Sequence, residues 1–260
     1  MPTTVLVAGF QGSMGQKATA MIKRDPELEL AAVYSPHLET TDPAAYELPA
    51  TTQVFNQLSA MDTRAQVWVD FSTPAGAFEN ARFALEHGMT PIIGTSGISD
   101  DQVAQLTQLA KEQHQAGLLV PNFGLSAVLL MQFAKQAAQY FPDAEIIEMH
   151  HADKNDSPSG TAVNTAKMIA AGRKQAPETV ENPVETIPGA RGANYDDVPI
   201  HAVRLPGYVA HEQVLFGGPG EALTIRQDSF DRESFMHGLN IAIKQVNRLT
   251  GFAVGLENVL

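Results

Sequence analysis

A short apolar run, Val5-Leu6-Val7-Ala8, leads straight into glycines at 9, 12 and 15, and a helical pattern follows over residues 14–23. Few arrangements satisfy a buried strand, a glycine turn and an immediate helix. Glycine lets such a turn take positive φ and lets backbone amides approach an anion, while the last glycine lets the helix pack close to the strand. The amino end of the helix then presents unpaired N–H groups to negative charge. A glycine turn without a ligand is the simpler alternative. After a first strand and before a helix, however, the G-x-x-G-x-x-G spacing reads as a dinucleotide-phosphate loop. Its candidate contacts are Gly9, Gln11, Gly12, Ser13, Met14 and Gly15.

The alternation continues. Strands are expected at residues 28–34, 67–71, 91–94 and 117–120, with helices at 75–86 and 100–115 between them. Strands separated by helices of this length predict a parallel sheet covered on both faces. Such sheets take ligands beyond the carboxyl ends of their strands. Interest therefore falls on Tyr34, on Phe71 and Ser72 within Asp70-Phe71-Ser72-Thr73-Pro74, and on Gly94, Thr95 and Ser96, whose small size would let a nicotinamide ring lie against the backbone. A unit that prefers NAD usually ends its second strand with an acidic residue bonded to the ribose. Here that position falls in Tyr34-Ser35-Pro36-His37, with no carboxylate before Glu39 and no arginine for a 2′-phosphate. NAD and NADP both remain open.

From about residue 122 the texture changes. A helix at 126–141, a strand at 144–150 and a helix at 161–174 precede a Pro-, Gly- and Asn-rich stretch at 176–197, which reads as a long loop. Strands at 201–205, 212–216 and 222–227 follow without helices between them, and a last helix covers 234–249. The expected fold is α/β, an N-terminal Rossmann-type parallel sheet plus a C-terminal α+β domain with a mainly antiparallel or mixed sheet. The expected division is 1–122 with 228–260 for the dinucleotide domain, and 123–227 for the second.

The densest chemistry runs from Glu148 to Thr161. A strand delivers His150 and His151 to its end, a polar loop supplies Lys154, and a helix opens at Ser157-Pro158-Ser159-Gly160-Thr161. Serine is a good N-cap and proline suits a first turn. A helix start with hydroxyls and a glycine is a ready carboxylate site, beside which a histidine can move a proton and a lysine can stabilise negative charge. An isolated histidine is more often a core residue bonded to backbone; the clustering favours the functional reading here. No metal is expected, since there is no cysteine and no His-x-x-x-His pair. The absence of cysteine also excludes disulfides and thiolate nucleophiles. With 17 basic and 29 acidic side chains, a net charge of −12, the surface is unsuited to nucleic acid. No apolar run approaches the ~18 residues of a membrane span. A cytoplasmic location is expected.

The run E-x-H-H-x-x-K-x-D-x-P-S-G-T-A at residues 148–162 resembles the signature of dihydrodipicolinate reductases. The likeness extends to VAGFQGSMG, VDFSTP, GTSG, VPNFG and VRLPGYVAHEQVLFG, and so to nearly the whole chain. It implies NAD(P)H reduction of a cyclic imine dicarboxylate in the diaminopimelate route to lysine, with His150 as proton donor and Lys154 as its partner. It further implies that His151, Ser159, Gly160 and Thr161 hold the substrate, and that Gly94, Thr95, Asn122 and Phe123 border the nicotinamide, with Pro121 a further cofactor-binding residue. A homotetramer built through the C-terminal sheet is implied as well, as is a last helix folded back on the Rossmann domain. Three departures lie in the cofactor half: Ser13 and Thr73 replace frequent arginines, and Tyr34 replaces a frequent acidic residue. Use of both NADH and NADPH is the resulting expectation. Another Rossmann dehydrogenase, for aspartate or homoserine, lacks reason for the H-H-x-x-K loop. A nucleotide-sensing regulator would need no proton donor.

Overall fold

Strands too apolar to face water and helices apolar on one side alternate through the first 123 residues of a computed structural model of the chain, which describes residues 1–63, 65–178 and 184–260. In order come β1 (Thr3–Ala8), α1 (Ser13–Arg24), β2 (Leu28–Tyr34), β3 (Gln53–Phe55) and β4 (Val67–Asp70). Then follow α2 (Pro74–Glu86), β5 (Thr90–Ile93), α3 (Asp100–Glu112) and β6 (Gly117–Leu119). The next stretch holds α4 (Leu125–Ala137), β7 (Asp143–His150), α5 (Gly160–Gly172), β8 (Ala193–Tyr195), β9 (Val198–Arg204), β10 (Ala210–Gly218) and β11 (Glu221–Ser229). The chain closes with α6 (Ser234–Gln245) and β12 (Phe252–Val254).

Two compact units result, Met1–Phe123 with Phe235–Leu260, and Gly124–Ser234. The first contains a seven-stranded sheet in the order β12-β6-β5-β4-β1-β2-β3, parallel at every pairing. Val5, Leu6, Val7, Ala8, Val67, Trp68 and Val69 have no exposed surface. Burying each larger side chain stabilises the fold by about 1.5–3 kcal/mol, so the sheet centre fixes the register. Strand order reverses direction between β1 and β4, which opens the crevice where doubly wound sheets bind ligands. α3 is closed at its start by a capping box between Ser99 and Gln102.

The end of the chain belongs to this first unit. β12 pairs with β6, and the Phe252 ring lies over Gly117, where a Cβ would collide with it. Asn240 and Lys244 of α6 reach Asp25 at 2.6 and 2.8 Å, and Thr90 donates to Asn247 at 2.8 Å.

The second unit contains a mixed five-stranded sheet, β11-β10-β7-β9-β8, in which β7 runs antiparallel to β10 and parallel to β9. α4 and α5 pack on each other and on this sheet. Alternate residues face them: Ala144, Ile146 and Glu148 of β7, and Glu212, Val214 and Phe216 of β10, all buried. On the other face Ile147, Gln213 and Leu215 are half-buried, while Met149 and His211 are buried.

Several expectations are corrected. The stretch 176–197 contains β8, and the following strand begins at Val198; residues 179–183 of that expected loop lie outside the described residues. β3 and β12 were not anticipated; each is a three-residue strand at an edge of the first sheet. The helix at 126–141 stops at Ala137, and the last α-helix stops at Gln245 in a 3₁₀ turn, Val246–Arg248. β11 runs on to Ser229, and Ser229 Oγ bonds Ser234 Oγ at 2.6 Å. Among the described residues no helix is long and apolar enough to cross a membrane.

Candidate active site

The candidate residues fall into two groups, one in each unit. In the first, Gly9 has φ +73°, and its N–H donates to Tyr34 O at 3.0 Å. A Cβ at Gly9 would strike the Phe71 backbone, and one at Gly15 would strike Gly9 itself, so the fold demands both glycines. Gly12 differs. A Cβ there meets nothing nearer than 3.4 Å, and its N–H closes the turn on Gly9 O at 3.0 Å. α1 starts at this point with no side-chain cap and no acidic residue in its first turn. Gln11, Gly12 and Ser13 are exposed, and Met14 is half-buried. An exposed glycine turn at an uncapped, acid-free helix start fits a pyrophosphate.

Beyond β4 the organiser is Asp70, which has no exposed surface. Its carboxylate accepts from Ser72 N at 3.0 Å, Ser72 Oγ at 2.6 Å, Thr95 Oγ1 at 3.1 Å, Trp68 Nε1 at 3.2 Å and Asn80 Nδ2 at 2.8 Å. One buried acid thus ties the loops after β4 and β5 together and fixes Ser72 and Thr95. Ser96 and Pro121 are exposed, Asn122 is half-buried, and Phe123 is buried.

Two of the expected cofactor residues have distinct surroundings. The Tyr34 ring turns into the core against Trp68, with ring centres 5.8 Å apart, so only its backbone serves the glycine turn. Gly94 has no room for a side chain: the Phe71 and Phe123 rings, 5.7 Å apart, occupy the place its Cβ would take.

In the second unit everything centres on Glu148, the last inward-facing residue before His150 on β7. It has no exposed surface. Arg204, at the end of β9, grips it with both terminal nitrogens at 2.7 Å, one on each carboxylate oxygen. Ser159 N donates to Oε1 at 3.0 Å, and His150 Nδ1 meets Oε2 at 2.6 Å. Burial pushes the Glu148 carboxyl up, but the bonds from His150, Arg204 and the Ser159 amide outweigh it and hold it at about 2. An ionised Glu148 fixes the ring orientation of His150, leaving Nε2 as the ring nitrogen that Glu148 does not engage.

The same carboxylate anchors the start of α5. Ser159 Oγ caps this helix by accepting from Ala162 N at 3.2 Å. Gly160 follows with nothing within 4 Å of its Cβ position, and Thr161 completes the turn. Lys154 is mostly buried and pairs with Asp156 at 2.6 Å. His151 is exposed, bonded to Asp153 at 2.6 Å. The structure therefore gathers His150, Ser159 and the α5 start around one buried charge, while His151 and Lys154 stand on the adjoining loop, each with its own acid. Among the described residues no group of three or more His, Cys, Asp or Glu is placed to hold a metal.

Arg204, Glu148 and Asp70 received no role from the sequence. The signal for Glu148 was present: it occupies an inward position in the alternation Ala144, Ile146, Glu148, where a charge must have a buried partner. Nothing local marks Arg204 as that partner, 56 residues away.

A doubly wound sheet with a phosphate-type glycine turn, carried in one chain with a sheet that ends in a braced histidine, defines a two-domain pyridine-nucleotide oxidoreductase. Residues 3–123 match the model for the N-terminus of dihydrodipicolinate reductase, and residues 126–260 match that for its C-terminus. The chain belongs to the dihydrodipicolinate reductase family. It is 57% identical over 259 residues to the 4-hydroxy-tetrahydrodipicolinate reductase of Limosilactobacillus fermentum, covering 99% of this chain and 100% of that one. The enzyme of the same name from Lactobacillus acidophilus is 54% identical, over 100% and 99% of the two chains. Among solved structures, a dipicolinate-bound dihydrodipicolinate reductase from Paenisporosarcina sp. TG-14 superposes with a TM-score of 0.91 at 43% identity, covering all of both chains.

Proposed function

We infer that this protein reduces 4-hydroxy-tetrahydrodipicolinate, or the dihydrodipicolinate formed from it, to tetrahydrodipicolinate in the diaminopimelate route to lysine. The observation that carries the reading is the Glu148 clamp, which holds a histidine and an anion-ready helix start together in a chain of reductase ancestry. The reduced nicotinamide, when bound, supplies the hydride. The chain's own residues do the rest. Gly9, Gln11, Gly12, Ser13, Met14 and Gly15 receive the pyrophosphate, while Ser72, Thr95, Ser96, Asn122 and Phe123 border the other end of the cofactor. His150, its ring held at Nδ1 by Glu148, gives a proton from Nε2 to the ring nitrogen as the imine carbon is reduced. Lys154 steadies the charge that develops there. Ser159, Gly160 and Thr161 grip a carboxylate through N–H and O–H donors, and His151 closes on the substrate from the loop.

NADH and NADPH both serve, because neither an acid nor an arginine marks the ribose. The other face of the second sheet, with half-buried Ile147, Gln213 and Leu215, is the surface through which four copies assemble. A cytoplasmic location suits an enzyme whose cofactor is a soluble dinucleotide. An aspartate or homoserine dehydrogenase is disfavoured, since relatives matched over the whole chain carry the reductase name. The test is direct: cofactor absorbance is followed as the condensation product of aspartate semialdehyde and pyruvate is added. Steady oxidation of NADH or NADPH is expected, and its absence with both cofactors would refute the assignment.

A further inference from the structure

Glu212 of β10 stands directly opposite Glu148 of β7, on the sheet face covered by α4 and α5. It is 2% exposed, and among the described residues its Oε1 has no hydrogen-bond partner. Its surroundings supply no cation of its own. β11 places Gln227 across from it, and α5 offers the hydroxyl of Thr165. α4 contributes the buried Ala127, Val128, Leu130, Met131 and Ala134, with Ser126 Oγ bonded to Gln227 at 3.2 Å. Among the described residues the charged groups on this face are Glu148 itself, then Arg204 and His150, both already committed to Glu148.

Two carboxyl groups facing each other in a dry interior do not both ionise. Glu148 takes the charge, because it has the guanidinium, the imidazole and the amide. Glu212 keeps the proton. Burial, and after it the charge on Glu148, push its carboxyl up to about 7, against the opposing bond from Thr165. A protonated acid also accounts for the bare Oε1, since a neutral oxygen left unpaired costs far less than a buried anion. The Thr165 hydroxyl has a second acceptor in Thr161 O at 3.0 Å; turned instead to Glu212, it is the bond that favours ionisation.

We propose that Glu212 is a positioning residue of the substrate half: with its proton, it lets Glu148 hold His150 and the start of α5 in place, and without it, it repels both Glu148 and an incoming dicarboxylate. The proposal rests on the assignment of that half to His150 and the α5 start. Glu212→Gln preserves shape and cannot ionise. Its kcat/KM is measured beside wild type from pH 6 to pH 9, with the affinity for pyridine-2,6-dicarboxylate measured by calorimetry. Only wild type gains the extra charge as pH rises, so the variant-to-wild-type ratio of kcat/KM should climb about fivefold across this range. The affinity ratio should climb with it. Calorimetry at pH 7.5 in buffers of different ionisation heat should show proton uptake on ligand binding that shrinks in the variant. Thr165→Val, which removes the bond favouring ionisation, should move the wild-type decline to higher pH. Parallel pH profiles for wild type and Glu212→Gln, or an unmoved midpoint in Thr165→Val, would overturn the proposal. A wild type that binds the dicarboxylate with proton uptake but oxidises neither cofactor would count instead against the reductase assignment.

Discussion

Glu148 does two jobs whose signatures separate in pH. Its carboxyl is held at about 2 against an ordinary 4.5, so its contribution to stability is complete above pH 4.5 and is lost as pH falls toward 2. That difference corresponds to about 3 kcal/mol. Glu148→Gln leaves Arg204 buried without its anion, a loss of about 3–5 kcal/mol. Urea midpoints should therefore fall sharply for the variant at pH 7 and converge with wild type near pH 2.5. His150→Ala should fold normally and lower kcat by about 10²–10⁴-fold, read by cofactor oxidation at saturating substrate. Near-normal turnover would remove His150 from the chemistry. Lys154→Ala should lower kcat as well as raise KM, whereas Thr161→Val should chiefly raise KM, because a hydroxyl that grips the ground state is equally present in the transition state. The histidines, the lysine and the helix start were legible because they sit within a dozen positions. Arg204 was not, because its partner is brought to it only when β9 lies beside β7.

Strands β1, β2, β4 and β5 could be read because each is a short, mainly apolar run with a helical stretch or turn residues beside it. β3, β8 and β12 have three residues each and owe their conformation to a neighbour's open edge rather than to their own composition. The same holds for α6, whose amphipathic pattern was plain but whose docking site was not. Lys244 and Asn240 on α6 hold the Asp25 carboxyl at about 2 against an ordinary 3.8. This contribution is present above pH 3.8 and vanishes as pH falls through 2. The pair is partly solvated, so Lys244→Ala should cost only about 1 kcal/mol at pH 7, a drop in Tm of roughly 2–4 °C. Calorimetric scans at pH 7 and pH 2 check it, the difference disappearing at the lower pH.

A protein of net charge −12 must bind a dinucleotide phosphate and a dicarboxylate against its own background field. Local donors have to overcome that field, and the cofactor half offers amides rather than dedicated cations. NADH and NADPH should accordingly differ by less than roughly tenfold in kcat/KM, or about 1.4 kcal/mol. Discrimination beyond a hundredfold in side-by-side assays would reveal a ribose contact that Tyr34, turned into the core, does not provide. Treatment with EDTA followed by dialysis should leave the rate unchanged, and recovery by zinc or magnesium after a loss would contradict that. The return of α6 and β12 to the first sheet bears on how the molecule is made. A ribosome delivers residues 1–123 first, yet the strand that flanks β6 and the lysine that pairs with Asp25 lie beyond the whole of residues 124–234. The second unit is contiguous and can fold as soon as it emerges. During synthesis, then, the half carrying His150 has all its residues ahead of the half carrying the glycine turn, whose last strand and last ion pair come with the end of the chain.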